Sequence, residues 1–201
     1  MANIFIHASA LASAVIAFPT GSQIQQRFRG LFRRAQPSEI AGAPTLSREG
    51  GWQFIRCDDE FAFDEWLRRD EHGLPNMMGE EDSLGSHLLI ELYGCNEQSL
   101  KHEHSVGKAM RDAAVESEAT VVAESFHEFK PWGVSGAVII QESHYTIHTW
   151  PEHKYAAVDL FYCGGTVQVH QAVNLLRKRF QPERMKFLVV RRGLQSEVTH
   201  P

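Results

Sequence analysis

Along the second half of the chain, apolar positions recur first at a period of two, then at about three and a half, then at two again. Period two marks half-buried strands and the longer period marks amphipathic helices. On this pattern strands are predicted over 86–93, 119–126, 135–141, 144–150, 156–162 and 185–190. A helix is predicted within 98–116, with Leu100, Val106, Met110, Ala113 and Val115 as its stripe. A second follows a Thr166 cap and carries Val169, Ala172, Val173, Leu176 and Phe180, with Lys178 and Arg179 near its negative end. This order predicts an α+β fold, a two-layer plate with an antiparallel or mixed sheet and two helices on one face.

The first half is patterned differently. Its first 38 residues hold Arg27, Arg29, Arg33 and Arg34 and no acid, and their apolar run over 4–18 is shorter than the ~20 residues of a membrane span. The run lacks the preceding basic residues of a signal peptide, although the small-residue pattern Ala10-Leu11-Ala12 is present. A signal, a poorly ordered extension and an ordered accessory element all remain open. Between 50 and 70 the aromatics Trp52, Phe54, Phe61, Phe63 and Trp66 return, and Asp58 and Asp59 are placed to cap a short docking helix ending near Arg68-Arg69. Pro75-Asn76 reads as a break. The expected division is an N-terminal extension over 1–82, partly disordered with that helix, and a main domain over 83–201.

Composition narrows the function classes. With 201 residues, 43% of them hydrophobic and 22% charged, the chain matches one ordinary core. A net charge of -5 gives no general attraction to nucleic acid, and no membrane span is expected. Cys57, Cys95 and Cys163 form no CxxC pair, which argues against a disulfide framework and a zinc ribbon and suits a reducing, cytoplasmic compartment. One sheet face left uncovered by helices is expected to need a partner, because Val138, Ile140, Ile147, Val158 and Leu160 are too apolar for water. A homodimer is the expectation.

Candidate chemistry gathers in 135–164, SGAVIIQESHYTIHTWPEHKYAAVDLFYCG. Ser143 begins a strand directly after a β-branched run, where a serine is ordinarily a turn residue. Taken singly, Cys163 reads as a small core residue, His148 as a satisfied sheet histidine, and Phe129 and Trp150 as packing aromatics. His144, His148 and His153 have mixed spacing unlike a metal site, and Lys101-His102-Glu103-His104 reads as a solvated helix face. No GxSxG elbow accompanies the serine. In an extended segment Ser143 and His148 lie ~16 Å apart at ~3.3 Å per residue, on opposite faces. Either the segment bends, with no Gly or Pro to help it, or the histidine serving one serine comes from a second copy.

The combination resembles the self-processing site of the small prokaryotic S-adenosylmethionine decarboxylases. The matching residues are Glu142-Ser143-His144, Thr146-Ile147-His148-Thr149-Trp150-Pro151-Glu152, Tyr155-Ala156-Ala157-Val158-Asp159 and Cys163-Gly164. Upstream, Ser83-Leu84-Gly85 with His87-Leu88, and Phe126-His127 with Gly133-Val134-Ser135-Gly136, extend the resemblance to roughly 83–192. It implies the same plate, with two plates packed sheet to sheet as an αββα sandwich and sites shared between protomers. It also implies cleavage between Glu142 and Ser143, which leaves a pyruvoyl group at position 143 as the cofactor, with no metal. His148 matches the base of that processing, Ser135 an assisting hydroxyl and Cys163 the proton donor to the substrate carbon. Glu152 matches a carboxylate holding the ribose hydroxyls. Phe129 and Trp150 are candidates for stacking on adenine and the sulfonium.

The implied activity is decarboxylation of S-adenosylmethionine to the aminopropyl donor of spermidine biosynthesis. Relatives acting on arginine or ornithine are the near alternative, against which Glu152 argues, since those substrates have no ribose. A non-catalytic partner subunit on the same scaffold is another, and such a subunit would be expected to lose Ser143 or Cys163. Lys154 departs from the glycine often found in relatives, beside the motif.

Overall fold

The computed structural model describes residues 44–49, 52–71, 83–163, 167–195 and 198, all within a compact unit spanning 36–201. Among these residues eight strands run in chain order: β1 (Thr45–Glu49), β2 (Trp52–Cys57), β3 (Ser83–Tyr93), β4 (Val121–Glu128), β5 (Val134–Ile140), β6 (Ser143–Trp150), β7 (Tyr155–Cys163) and β8 (Arg184–Leu194). Among the described residues three helices join them: α1 (Glu60–Glu71), α2 (Glu103–Glu116) and α3 (Val169–Phe180). The strands form one sheet in the order β1-β2-β8-β3-β7-β6-β5-β4. Every pair in it is antiparallel.

Each predicted strand forms, within a few residues of its expected ends. The α3 stripe of Val169, Ala172, Val173, Leu176 and Phe180 is buried as its spacing required. The expected Thr166 cap lies outside the described residues; Gln168 occupies the N-cap position without a side-chain cap, and its N–H donates to the Ser117 carbonyl at 2.8 Å. The helix expected over 98–116 breaks in two. Asn96 caps a 3-10 turn over Glu97–Leu100, and α2 starts afresh after His102. His102 offers α2 no side-chain cap, and Glu128 of β4 replaces it by accepting the Glu103 N–H at 2.9 Å. The seam of α2 is Val106, Gly107, Ala109, Met110, Ala113 and Ala114. Val115, expected in that seam, is exposed because it falls one position beyond it.

The sheet continues through the expected boundary near residue 82. β1 and β2 form a hairpin, and β2 pairs with β8 from Gln53↔Arg191 to Cys57↔Phe187. Helix α1 adds a third helix to the two expected. Its start is capped by Asp59 Oδ1, which accepts the Ala62 N–H at 2.8 Å. Phe63 and Leu67 of α1 are fully buried, each contributing about 1.5–3 kcal/mol by leaving water. The Phe63 ring stacks on Phe187 of β8 at 3.9 Å, and Asp64 pairs with Arg177 of α3 at 3.1 Å. All three helices pack into one core with a single sheet face.

Strand parity decides which residues that face contains. Leu88, Ile90 and Leu92 of β3, Val158 and Leu160 of β7, Ile147 of β6 and Val138 and Ile140 of β5 are all buried. The expectation that Val138, Ile140, Ile147, Val158 and Leu160 lie on the uncovered face is therefore overturned: alternation tells the two faces apart but does not say which one meets the helices. The other face, which no described helix covers, instead bears Trp52 and Phe54 of β2, Val190 of β8, His87 and Leu89 of β3, Phe161 of β7 and Trp150 of β6, partly or largely exposed.

One close approach ties the sheet to α2. The Phe126 ring lies between Gly107 of α2 and Gly136 of β5, and a Cβ at Gly136 would collide with it. Gly136→Ala is expected to lower stability by about 1–3 kcal/mol through overpacking, read as a shift in the denaturant midpoint. Adding Phe126→Ala to that variant should cost less than Phe126→Ala costs alone.

Candidate active site

Strand β6 carries the chemistry and is paired on both edges. On one side it runs against β5 from Ser135↔His148 to Ile140↔Ser143, and on the other against β7 from Ser143↔Tyr162 to Trp150↔Tyr155. At its C-terminal end the Ser135 hydroxyl and His148 Nδ1 are hydrogen-bonded at 2.7 Å. His127 of β4 stands opposite Ser135, so His127, Ser135 and His148 form a row across three strands. The next residue, Thr149, points inward. Its hydroxyl accepts the Val134 N–H at 2.8 Å and donates to the Leu100 carbonyl at 2.9 Å, locking this end of β6 to the start of β5.

At the other end Ser143 has φ 145°. A non-glycine residue held there costs on the order of 1–3 kcal/mol, which the surrounding hydrogen bonds must sustain. The Ser143 Oγ lies 3.6 Å from the exposed Cys163 Sγ. The carbonyl of Glu142, which forms the peptide bond to Ser143, accepts the Cys163 N–H at 3.0 Å. A backbone N–H aimed at a carbonyl stabilises negative charge that develops on its oxygen. The Glu142 carboxylate accepts the Thr120 N–H at 3.1 and 3.3 Å.

The candidates therefore fall into two clusters on one strand: Ser143 with Glu142 and Cys163, and Ser135 with His148. Ladders on both edges keep β6 extended, and five residues at ~3.3 Å each separate the clusters by ~16 Å. Glu152 sits beyond the His148 end in a 3-10 turn over Pro151–His153, exposed to solvent. Trp150 is exposed and stacks on Tyr155 at 5.3 Å, while Phe129, also exposed, packs edge-on against His127 at 4.7 Å. All three lie at the end opposite Ser143.

Comparison with known proteins gives this arrangement a family. Residues 86–193 match the family model for S-adenosylmethionine decarboxylase. The chain belongs to the S-adenosylmethionine decarboxylase family. It is 47% identical over 119 residues to the S-adenosylmethionine decarboxylase proenzyme of Thermosipho melanesiensis, a segment covering 59% of this chain and 92% of that protein. The proenzyme of Thermotoga maritima is 45% identical over the same shares. Among solved structures, the adenosylmethionine decarboxylase of Aquifex aeolicus superimposes with a TM-score of 0.54 at 29% identity, over 60% of this chain and 99% of that one.

The matched family segment leaves β1, β2 and α1 outside it. Within that addition β2, together with family strands, walls a hollow of about 380 Å³ on the sheet face away from the helices, lined by Trp52, Phe54, His87, Leu89, Val190 and Arg192. His87 borders both Phe161 and, edge-on, His144, and those two rings also meet each other. Burial lowers the His87 pKa below the ordinary imidazole value, and Arg192 and His144 push the same way against Asp159. Sequence reasoning placed His87 only within a matching run. Thr149 likewise stood only within a matching run, with its inward parity beside His148 the one available signal of its role, and Thr120, which acts through its backbone, stood in none. Among the described residues no group of three His, Cys, Asp or Glu side chains could hold a metal ion. Also among them, no helix is long and apolar enough to cross a membrane.

Thr149→Val would leave the Val134 N–H and the Leu100 carbonyl buried without their partner. A loss of about 1–3 kcal/mol is expected in equilibrium unfolding. Thr149→Ser, which keeps the hydroxyl, should lose much less.

Proposed function

We propose that this chain is a self-cleaving, pyruvoyl-dependent S-adenosylmethionine decarboxylase, cytoplasmic and acting as a homodimer, that makes the aminopropyl donor for spermidine. The observation that carries the reading is the Ser143 backbone at φ 145°, with the preceding carbonyl on the Cys163 N–H. Family membership supports the substrate. In processing, Ser143 Oγ attacks the Glu142 carbonyl carbon, the peptide C–N bond breaks, and the freed amine takes the hydroxyl proton, leaving an ester. The Cys163 N–H stabilises the oxyanion between these states. A base then removes the Ser143 α-proton and the Cβ–Oγ bond breaks, releasing Glu142 as a carboxylate. Water converts the remaining dehydroalanine to the pyruvoyl group, with loss of ammonia.

His148 is the proposed base. In the tautomer whose Nδ1–H donates to the Ser135 hydroxyl, its Nε2 keeps the lone pair that proton removal needs. Because β6 holds His148 ~16 Å from Ser143 of its own chain, the partner of each Ser143 is the His148 of a second copy. Docking the uncovered faces of two sheets in opposite senses sets each Ser143 cluster against the other copy's His148 cluster, giving two sites per dimer. It also covers the apolar residues of that face.

After cleavage, the ketone at position 143 supplies the electrophile that takes up the substrate amine and draws off electrons as carbon dioxide leaves. The Cys163 thiol returns a proton to the substrate carbon. Glu152 accepts from the ribose hydroxyls, and Phe129 and Trp150 offer their faces to adenine and the sulfonium.

The test is release of labelled carbon dioxide from carboxyl-labelled S-adenosylmethionine. The native protein should release it, and Ser143→Ala and His148→Ala should each fall to background. Co-expressed, those two variants should regain about a quarter of native activity, since half of the dimers are mixed and each holds one complete site. No release by the native protein would overturn the activity, and no recovery in the mixture would overturn the shared site.

A further inference from the structure

The turn that presents Ser143 is built against the rule for its length. Ile140 pairs with Ser143, so Gln141 and Glu142 form a two-residue hairpin loop. Such loops match the twist of their strands when one or both central residues have positive φ, hence the preference for Asn-Gly or Gly-X. Gln141 and Glu142 both keep negative φ, and the positive value appears instead at the following residue, Ser143. Something outside the loop holds it in this form.

Three hydrogen bonds do so. The Gln141 N–H donates to the Thr120 carbonyl at 2.9 Å, continuing the β4–β5 ladder. The return bond goes elsewhere: the Thr120 N–H donates to the Glu142 carboxylate, which stands in for a strand carbonyl. On the opposite side the Glu142 carbonyl takes the Cys163 N–H. Glu142 is thus tied to β4 by its side chain and to β7 by its backbone, with the bond to Ser143 between the two ties.

We propose that the Glu142 carboxylate is a positioning residue for self-cleavage: by capturing the Thr120 N–H it holds the β5–β6 turn in the form that loads positive φ onto Ser143 and keeps the Glu142 carbonyl on its N–H donor. The inference rests on the reading of Ser143 as the processed residue and adds to it a reason for glutamate at position 142. An acceptor oxygen on a side chain of this reach is the requirement. Charge is secondary.

The experiment follows conversion of freshly synthesised full-length chain into two pieces, by gel, for the native protein, Glu142→Gln, Glu142→Ala and the double change Gln141→Asn with Glu142→Gly. Glu142→Gln keeps the acceptor and should be cut within about threefold of the native rate. Glu142→Ala should slow by about tenfold or more, the equivalent of ~1.4 kcal/mol in the barrier. The double change supplies the favoured hairpin turn, so in a Ser143→Ala background its uncut form should melt no lower than Ser143→Ala alone. It should nevertheless be cut at least about tenfold more slowly, although glycine opens access to the carbonyl. That pairing of retained stability with lost cleavage separates positioning from a merely structural role and holds even if Glu142→Ala folds poorly. Native-rate cutting of the double variant, or Glu142→Gln as slow as Glu142→Ala, overturns the inference. A native chain that is never cut overturns the processing reading itself.

Discussion

A strand paired along both edges cannot bring its two ends together, and that constraint on β6 governs the rest of the molecule. Its backbone is in register with β5 from Ser143 to His148 and with β7 from Ser143 to Trp150. The residues it carries are consequently sorted into two clusters, and neither holds both the serine and the imidazole. On the proposed reading a second copy completes each cluster, docking on the sheet face that carries Cys163 and His148. Helices on the other face leave that surface open: α1, α2 and α3 all spend their apolar stripes on the same side.

The plate is also rigid where the chemistry needs it. Tyr145 and Ile147 of β6 are fully buried, and the Tyr145 hydroxyl lies 3.0 Å from that of Ser117 at the end of α2. These anchors hold β6 from below while Ser143 takes a backbone conformation that a free hairpin would relax. Strain persists only where the surroundings over-determine it. Here they include the β7 ladder, the Cys163 N–H and the carboxylate clamp at Thr120. The same arrangement leaves the Cys163 thiol exposed, unlike Cys57 and Cys95, which burial pushes up to about 11.

Much of this was legible in the residues. The period-two runs located every strand from β3 to β8, and the α3 stripe read correctly to its last member, Phe180. Ser143, His148 and Cys163 stood out because their flanking residues matched a family. What escaped had physical reasons. Strand parity distinguishes two faces without naming the one that meets the helices, so Val138 and Ile140 were expected on the wrong side. The β1–β2 hairpin hid because Trp52 and Phe54 alternate with Gln53, a polar residue that is nonetheless buried. Thr120 contributes a backbone N–H, which no side-chain pattern reveals. The positive φ of Ser143 follows from a turn whose two central residues carry no sequence signal for it.

The proposed function descends from one proposed event, the opening of the backbone before Ser143. Intact-mass analysis of the freshly purified protein addresses it directly. Two polypeptides are expected, one ending at Glu142 and the other spanning 143–201 with a ketone in place of its amino terminus, so that it resists stepwise N-terminal degradation. A single uncut chain, or a second piece beginning with an unmodified serine amine, would contradict it.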